Sequence, residues 1–255
     1  AREFAKALEK PPGSAEAWHQ KALAESRLLD LPAALASLEK ALAANPATEL
    51  SLELRQLKGR LLARDGQTDA ALKVWQELLA SAPNDEALQE DVIDLQAAEG
   101  LNKEALATAQ ALLEKTADPY KKVQRRLRTG DLLARMSDRD ASVAAYAAAL
   151  DDTGADSWLE KEILAQLEQV FRRDDAVDAF KELLASLGEK YPQRLALARR
   201  HARLLGESGD VDGAVAAFQK ILTMAPGDRT VREAYIDLLA QNKKHADAVS
   251  QLSEL

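Results

Sequence analysis

The sequence predicts an all-α protein built as a linear array of helical repeats, and three observations predict it. Hydrophobic residues make up 47% of the 255-residue chain while aromatics make up only 4%. The apolar material is therefore mostly Ala and Leu, both good helix formers, and the residues that strands favour are sparse. Prolines recur at near-constant intervals. Between successive prolines, apolar residues repeat with helical spacing in two runs parted by a short polar turn.

The prolines act as a ruler. Pro12, Pro46, Pro83, Pro119, Pro192 and Pro226 are 34, 37, 36, 73 and 34 residues apart, and each follows a helical apolar run that a proline cannot continue. The interval of 73 is two periods with one proline missing. The gap is expected near residue 155, where Asp151-Asp152-Thr153-Gly154-Ala155-Asp156 supplies a turn.

One unit illustrates the rest. Ala17, Trp18, Ala22, Ala24 and Leu28 share a helical face. Asp30-Leu31-Pro32 then interrupts, with Asp30 suited to an N-cap and Pro32 to a first helical turn. A second run, Leu35, Leu38, Ala41 and Leu42, ends at Asn45-Pro46, which makes a hairpin of two helices.

These residues resemble a tetratricopeptide repeat. That family places a large residue early in its first helix, a small one four positions on, a small one early in the second helix, then a large residue, Ala and Pro. Here the slots hold Trp18, Ala22, Ala34, Leu38, Ala41 and Pro46. The second unit offers Gly59, Ala71, Trp75, Leu78 and Pro83. The fourth offers Gly130, Ser142, Tyr146 and Ala149, and the sixth Ala202, Ala214, Phe218, Ile221 and Pro226. The third has Leu88, Val92, Ala105 and Ala109, with one extra residue expected in its turn at Glu99-Gly100-Leu101 and a turn of the same length in the seventh unit at Asn242-Lys243-Lys244. The fifth is the least regular, with Ala176, Phe180 and Leu183 after an Arg172-Arg173-Asp174-Asp175 turn. The pattern departs at Lys21, Glu25 and Lys58, where large apolar residues are expected.

The resemblance covers essentially the whole chain. It places the second helix of a truncated unit at 1–13, with Phe4, Ala7 and Pro12, and complete units at 14–47, 48–84, 85–119, 120–155, 156–192 and 193–227. A truncated unit follows at 228–255. It implies one right-handed superhelical α-solenoid of stacked antiparallel hairpins, whose first helices line a concave face. A chain that opens on Ala1 and stops within a second helix reads as an internal piece of a longer array. Its Ala-rich repeats of drifting length resemble bacterial arrays.

Little here suggests chemistry. His19, His201 and His245 lie in different units, whereas a catalytic or metal cluster needs side chains within a few ångströms. His201 is expected to pack within its first helix. No metalloprotease, phosphate-loop or nucleophile-elbow motif occurs. Asp210-Val211-Asp212-Gly213 has the look of a calcium loop with the wrong later ligands, and reads better as a helix cap. The absence of Cys excludes disulfides and thiolate metal sites but leaves cytoplasm and periplasm equally open. No cofactor and no metal are expected. A formal net charge of −8 argues against nucleic acid as partner, and no apolar run is long enough for membrane insertion.

Arginines on the first helices are the feature that suggests a site. Arg27, Arg64 and Arg135 share one late slot, and Arg60, Arg128, Arg199 and Arg203 fall on nearby slots expected to face the groove. Lys121, Lys122, Arg125 and Arg126 add charge at the start of the fourth unit. Two readings are open: a locally basic face that takes an acidic segment through guanidinium forks, or solvated cations favoured at helix ends and by i,i+4 pairing. The Lys/Asn clamp with which some family members hold chaperone carboxylates is absent, since His19 and Leu23 occupy its slots.

The resemblance implies a non-catalytic scaffold for a protein or peptide partner. The alternative is a regulatory or localising arm of a larger protein, such as the periplasmic repeat region of an outer-membrane export system or an arm attached to an enzyme domain.

Overall fold

The computed structural model describes residues 13–155 and 157–255. The readings placed on Phe4, Ala7, Pro12 and Asp156 lie outside the described residues. Among the described residues every regular element is helical, and fourteen α-helices follow one another as seven hairpins. The protein is an all-α helical repeat solenoid. Two compact units divide between Lys115 and Thr116. The first holds the hairpins α1 (Ala15–Arg27) with α2 (Leu31–Ala43), α3 (Thr48–Arg64) with α4 (Thr68–Ser81), and α5 (Glu86–Ala98) with α6 (Asn102–Glu114). The second holds α7 (Pro119–Arg135) with α8 (Arg139–Ala149), then a 3-10 turn at Leu150–Asp152. It continues with α9 (Trp158–Arg173) and α10 (Val177–Lys190), α11 (Leu195–Glu207) and α12 (Val211–Met224), and α13 (Arg229–Gln241) and α14 (His245–Leu252).

The turn inside each hairpin is the most constant feature of the chain. A backbone N–H reaches back five residues in all seven: Asp30 to Glu25, Gln67 to Leu62, Leu101 to Gln96, Asp138 to Leu133, Ala176 to Phe171, Asp210 to Leu205 and Lys244 to Leu239. This is the closure of a helix whose last residues swing into the left-handed region. The residue that does so is Leu29, Gly66, Gly100, Ser137, Asp175, Gly209 and Lys243 in turn. The third turn therefore carries no extra residue, contrary to expectation, because Gly100 and Leu101 fill the same two places as Gly66 and Gln67. The drift in repeat length arises elsewhere. α3 and α7 have 17 residues and α9 has 16, whereas α1, α5, α11 and α13 have 13. Three or four residues amount to about one helical turn, so the extra length keeps the buried face in register.

Leucine is a poor choice for the left-handed position, since its Cβ crowds the next carbonyl. Leu29 sits there with φ 59° and is 81% exposed, so it recovers almost nothing by burial. Leu29→Gly is expected to raise stability by about 0.5–1 kcal/mol, the relief of strain exceeding the added freedom of the unfolded chain. A thermal midpoint at or below that of the parent chain would contradict it.

Capping follows the sequence. The side chain of Asp30 accepts from the Ala33 N–H, that of Asp138 from Ala141 and that of Asp210 from Gly213. The Asp210 segment is thus a helix cap, as read. First helices are capped by Ser14, Asp85, Asp118, Ser157 and Asp228. Pro119 differs from Pro46, Pro83, Pro192 and Pro226, since it opens α7 and does not merely precede a helix. Where the ruler lacks a proline, Leu150–Asp152 forms the 3-10 turn.

The small residues explain how each hairpin closes. Ala22, Gly59, Gly130 and Ala202 are buried opposite Ala34, Ala71, Ser142 and Ala214. Helices approach this closely only where side chains are short. Leu38, Trp75, Tyr146 and Phe218 fill the space beside them and are buried, whereas Trp18 is half-buried beneath the ammonium groups of Lys21 and Lys40. The apparent departures are polar pairs. Glu25 is held by Lys21 at 3.4 Å and by the Ser37 hydroxyl at 2.6 Å, and Lys58 reaches Glu39 at 3.4 Å.

The fifth hairpin is the irregular one for a visible reason. Counting from its left-handed residue, Asp175, the two small slots hold Glu168 and Phe180. Phe180 stacks on Phe171 with centroids 5.2 Å apart, and α9 and α10 approach each other over a much shorter stretch than the helices of the other hairpins. Two large residues at the crossing keep the pair apart.

Candidate partner-binding face

Within each unit every first helix touches the next first helix: α1 with α3 and α3 with α5, then α7 with α9, α9 with α11 and α11 with α13. Among the described residues no two successive second helices make comparable contact. First helices are therefore the side along which a guest would meet several repeats at once.

In the first unit this side is electrically balanced. Arg27 is exposed and Arg60 half-buried. Arg64 pairs with Glu99 at 3.1 Å, and the Gln56 amide donates to Asp91 at 3.2 Å. The helix opposite, α5, carries Glu86, Glu90, Asp91 and Asp94 with no Lys or Arg.

The second unit differs. An open cleft of about 520 Å³ lies between α9 and α11. Lys161, Arg172, Arg199, Arg200 and Arg203 line it against only two carboxylates, Glu168 and Glu207. Leu164, Ala165 and Ala196 form its apolar floor. Arg172 holds Glu168 at 2.6 Å and Glu207 at 3.3 Å. Arg200 also pairs with Glu168, and with Glu207 at 3.6 Å, while Arg199 pairs with Asp228. Lys161 and Arg203 are exposed and make no ion pair among the described residues. A smaller cleft of about 330 Å³ beside it takes in Asp131, Arg135, Tyr146 and Arg173. There the Tyr146 hydroxyl donates to Asp131 at 2.6 Å, and burial pushes the pKa of that phenol well up.

The structure thus places Arg199 and Arg203 in one cleft, Arg135 in its neighbour and Arg128 half-buried on α7. It separates Arg27, Arg60 and Arg64 into the other unit. Two of the added basic residues have different work. Arg125 is buried and donates to the Thr116 hydroxyl, and Arg126 donates to the Ala148 carbonyl and pairs with Asp152 at 2.6 Å. Both fasten α7 to its surroundings and are withdrawn from the face.

A family model described as tetratricopeptide repeat matches residues 57–121 and 199–255. The chain contains tetratricopeptide repeats. No curated protein sequence matches it. Among solved structures, it is similar to a tetratricopeptide repeat protein from Parabacteroides merdae, with 19% identity over 94% of this chain and 91% of the other and a TM-score of 0.44. It is also similar to the C-terminal part of a repeat protein from Cytophaga hutchinsonii, with 16% identity over 93% and 92% and a TM-score of 0.46. YrrB, described as having an unusual peptide-binding site, matches with 13% identity over 71% and 89% and a TM-score of 0.39.

Sequence reasoning missed Lys161, Arg172 and Arg200 in this repeat protein. Their signal was present: Lys161, Leu164, Ala165, Glu168 and Arg172 have the same internal spacing as Ala196, Arg199, Arg200, Arg203 and Glu207, and each set is one helix face. Tetratricopeptide slots alone do not reveal this, because they mark where a hairpin closes, not where neighbouring hairpins meet.

Among the described residues no helix is long and apolar enough to cross a membrane, and no three His, Cys, Asp or Glu residues are grouped to hold a metal. His19 is half-buried in α1 and His245 is exposed. His201 lines a third cleft, of about 340 Å³, beside Tyr191, Ile221 and Met224. Burial lowers the His201 pKa below its ordinary value of 6.5, with Lys181 lowering it further and Asp210 opposing. A depressed folded value means that the unfolded chain binds the proton more readily. The stabilisation is complete above pH 6.5 and is lost as pH falls through the folded value. Replacement His201→Asn is therefore expected to flatten the decline in thermal midpoint between about pH 7 and pH 5. Parallel declines in variant and parent would refute this assignment.

Proposed function

We propose that this repeat protein is a non-catalytic scaffold that binds a protein or peptide partner along its first helices, and that the segment it takes is acidic. The observation that carries the reading is the α9–α11 cleft, where five cations meet two carboxylates on a chain whose formal net charge is −8. A local reversal of sign on an acidic protein draws a complementary segment and repels most others. Arg172 and Arg200 are already oriented by Glu168 and Glu207. Arg203 and Lys161 are left to meet an incoming carboxylate. Arg128 and Arg135 belong to the proposed face of the second unit, and Arg27, Arg60 and Arg64 to a separate proposed face on the first helices of the first unit.

The test uses a fluorescein-labelled decaglutamate peptide and fluorescence anisotropy. Binding is expected to weaken steeply as salt rises. Reversal by Lys161→Glu with Arg203→Glu is expected to weaken it at least tenfold. Lys73→Glu with Lys103→Glu, the same change in net charge placed on the second helices α4 and α6, is expected to leave it within twofold. Equal loss in both double variants, or no binding to the parent chain, overturns the reading.

A further inference from the structure

Of the three tryptophans in the chain, two serve the packing. Trp75 is fully buried and Trp18 half-buried. Trp158 is 61% exposed, and the ring beside it, Tyr120, is 47% exposed. Their centroids are 6.3 Å apart at an interplanar angle of 58°. Both stand at the amino-terminal ends of first helices, Trp158 as the first residue of α9 and Tyr120 as the second of α7. No hairpin contact requires a large aromatic at either place, and leaving such rings in water forgoes the burial they would otherwise contribute.

The position of Trp158 relates it to the basic cleft. Before its last residue, Arg173, which is also exposed, the exposed residues along α9 are Trp158, Lys161, Ala165, Gln169 and Arg172. Their steps of three and four make a single stripe down one side of the helix. Lys161, Ala165 and Arg172 of that stripe line the cleft. The aromatic pair therefore heads the same exposed face that carries the cations. Ala165 lies roughly 10 Å along α9 from Trp158 and Arg172 roughly 21 Å, at about 1.5 Å per residue. An extended peptide covers those distances in about three and six residues.

We infer that Trp158 and Tyr120 form an apolar anchor site for the partner, so that the segment recognised is an acidic stretch carrying one aromatic or large aliphatic side chain about three to six residues from its carboxylates. This rests on the reading of the cleft given above and adds to it a second determinant of a different kind. Charge draws the segment in, and the anchor fixes its position, as buried aromatic contacts at an interface commonly do. A single-stranded nucleic acid would also stack on exposed rings beside arginines. The net charge of −8 and the glutamates inside the cleft favour the peptide.

Two synthetic peptides test it by calorimetry and by Trp emission. One has six glutamates with a phenylalanine placed three residues before the first, and the other has the phenylalanine three residues after the last. Each is compared with its alanine counterpart. For the better of the two orders, the phenylalanine peptide is expected to bind the parent chain about tenfold more tightly than the alanine peptide and to shift Trp158 emission to the blue. Trp158→Ala is expected to erase the tenfold difference while leaving binding of the alanine peptide unchanged. Tyr120→Ala, a second exposed site, is expected to reduce the difference in part, with thermal midpoints confirming that both variants fold. Equal binding of phenylalanine and alanine peptides overturns the anchor and leaves the acidic-segment reading intact. Failure of the alanine peptides to bind at all overturns the acidic-segment reading and the anchor with it. Tighter, Trp158-dependent binding of a ten-residue thymidine oligonucleotide than of any peptide also overturns the anchor as assigned.

Discussion

Gly59→Ala is expected to lower the stability of the chain by about 1–3 kcal/mol, the cost of overpacking a closed core. The direction is unusual, because in an unconstrained helix alanine is better than glycine by about 1 kcal/mol. Here the added Cβ would fall 2.3 Å from Nε1 of Trp75 and 2.7 Å from its Cε2. Trp75 is fully buried in α4, so the ring cannot retreat without disturbing what lies behind it. The same argument applies to Gly130 in the second unit, where a Cβ would lie 2.4 Å from the Tyr146 ring. Urea and thermal unfolding measure the effect. A double variant Gly59→Ala with Trp75→Leu separates cause from coincidence, since the smaller side chain makes room for the methyl. Its loss should be less than the sum of the single losses. If Gly59→Ala alone leaves the midpoint unchanged or raises it, the close approach of α3 and α4 is not as described.

Arg194→Ala is expected to cost more, about 3–5 kcal/mol, which is typical of removing one partner from a buried ion pair. Arg194 precedes α11 and reaches back to the junction after α8. Its guanidinium meets Glu160, whose side chain is 0% exposed, at 3.3 Å. It also donates to the Leu150 carbonyl at 2.6 Å and the Thr153 carbonyl at 2.5 Å. This is the junction without a proline, and Arg194 ties two of its carbonyls to the start of the α11–α12 hairpin. Adding Glu160→Gln to Arg194→Ala should recover part of the loss, because no buried charge then lacks its guanidinium. Arg194→Lys should recover little, since an ammonium cannot make the same planar set of contacts. A loss below about 1 kcal/mol, the range of exposed pairs, would show that the network is not buried.

How far the chain could be read in advance depended on how local each feature is. Asp30 as a cap, Pro32 in a first turn and Gly66 or Gly209 in a left-handed turn all follow from a few adjacent residues. The small slots were legible too, because Gly59 and Ala71 recur at fixed distances from the turn. The third turn was misjudged for want of the backbone bond from Leu101 to Gln96, which shows Gly100 doing the work of Gly66. Trp158 was not singled out, because nothing in its neighbours distinguishes a ring that will be covered from one that will not.

The arginines mark the boundary most clearly. The repeat period, the hairpin turns and the first-helix positions of Arg27, Arg64, Arg135, Arg199 and Arg203 could be written down from the residues, since helix periodicity and capping are short-range. Which of those cations is neutralised emerged only when the hairpins stacked. Arg64 meets Glu99, and Arg172 meets Glu207, each across 35 residues of chain. That is one repeat further on, where the partner's side of the helix is set by how successive hairpins turn against each other. Among the described residues Arg203 and Lys161 find no such partner, and Arg125 and Arg126 are drawn inward. Charge pairing acts through distances of a few ångströms, and packing alone brings residues of neighbouring repeats within that range.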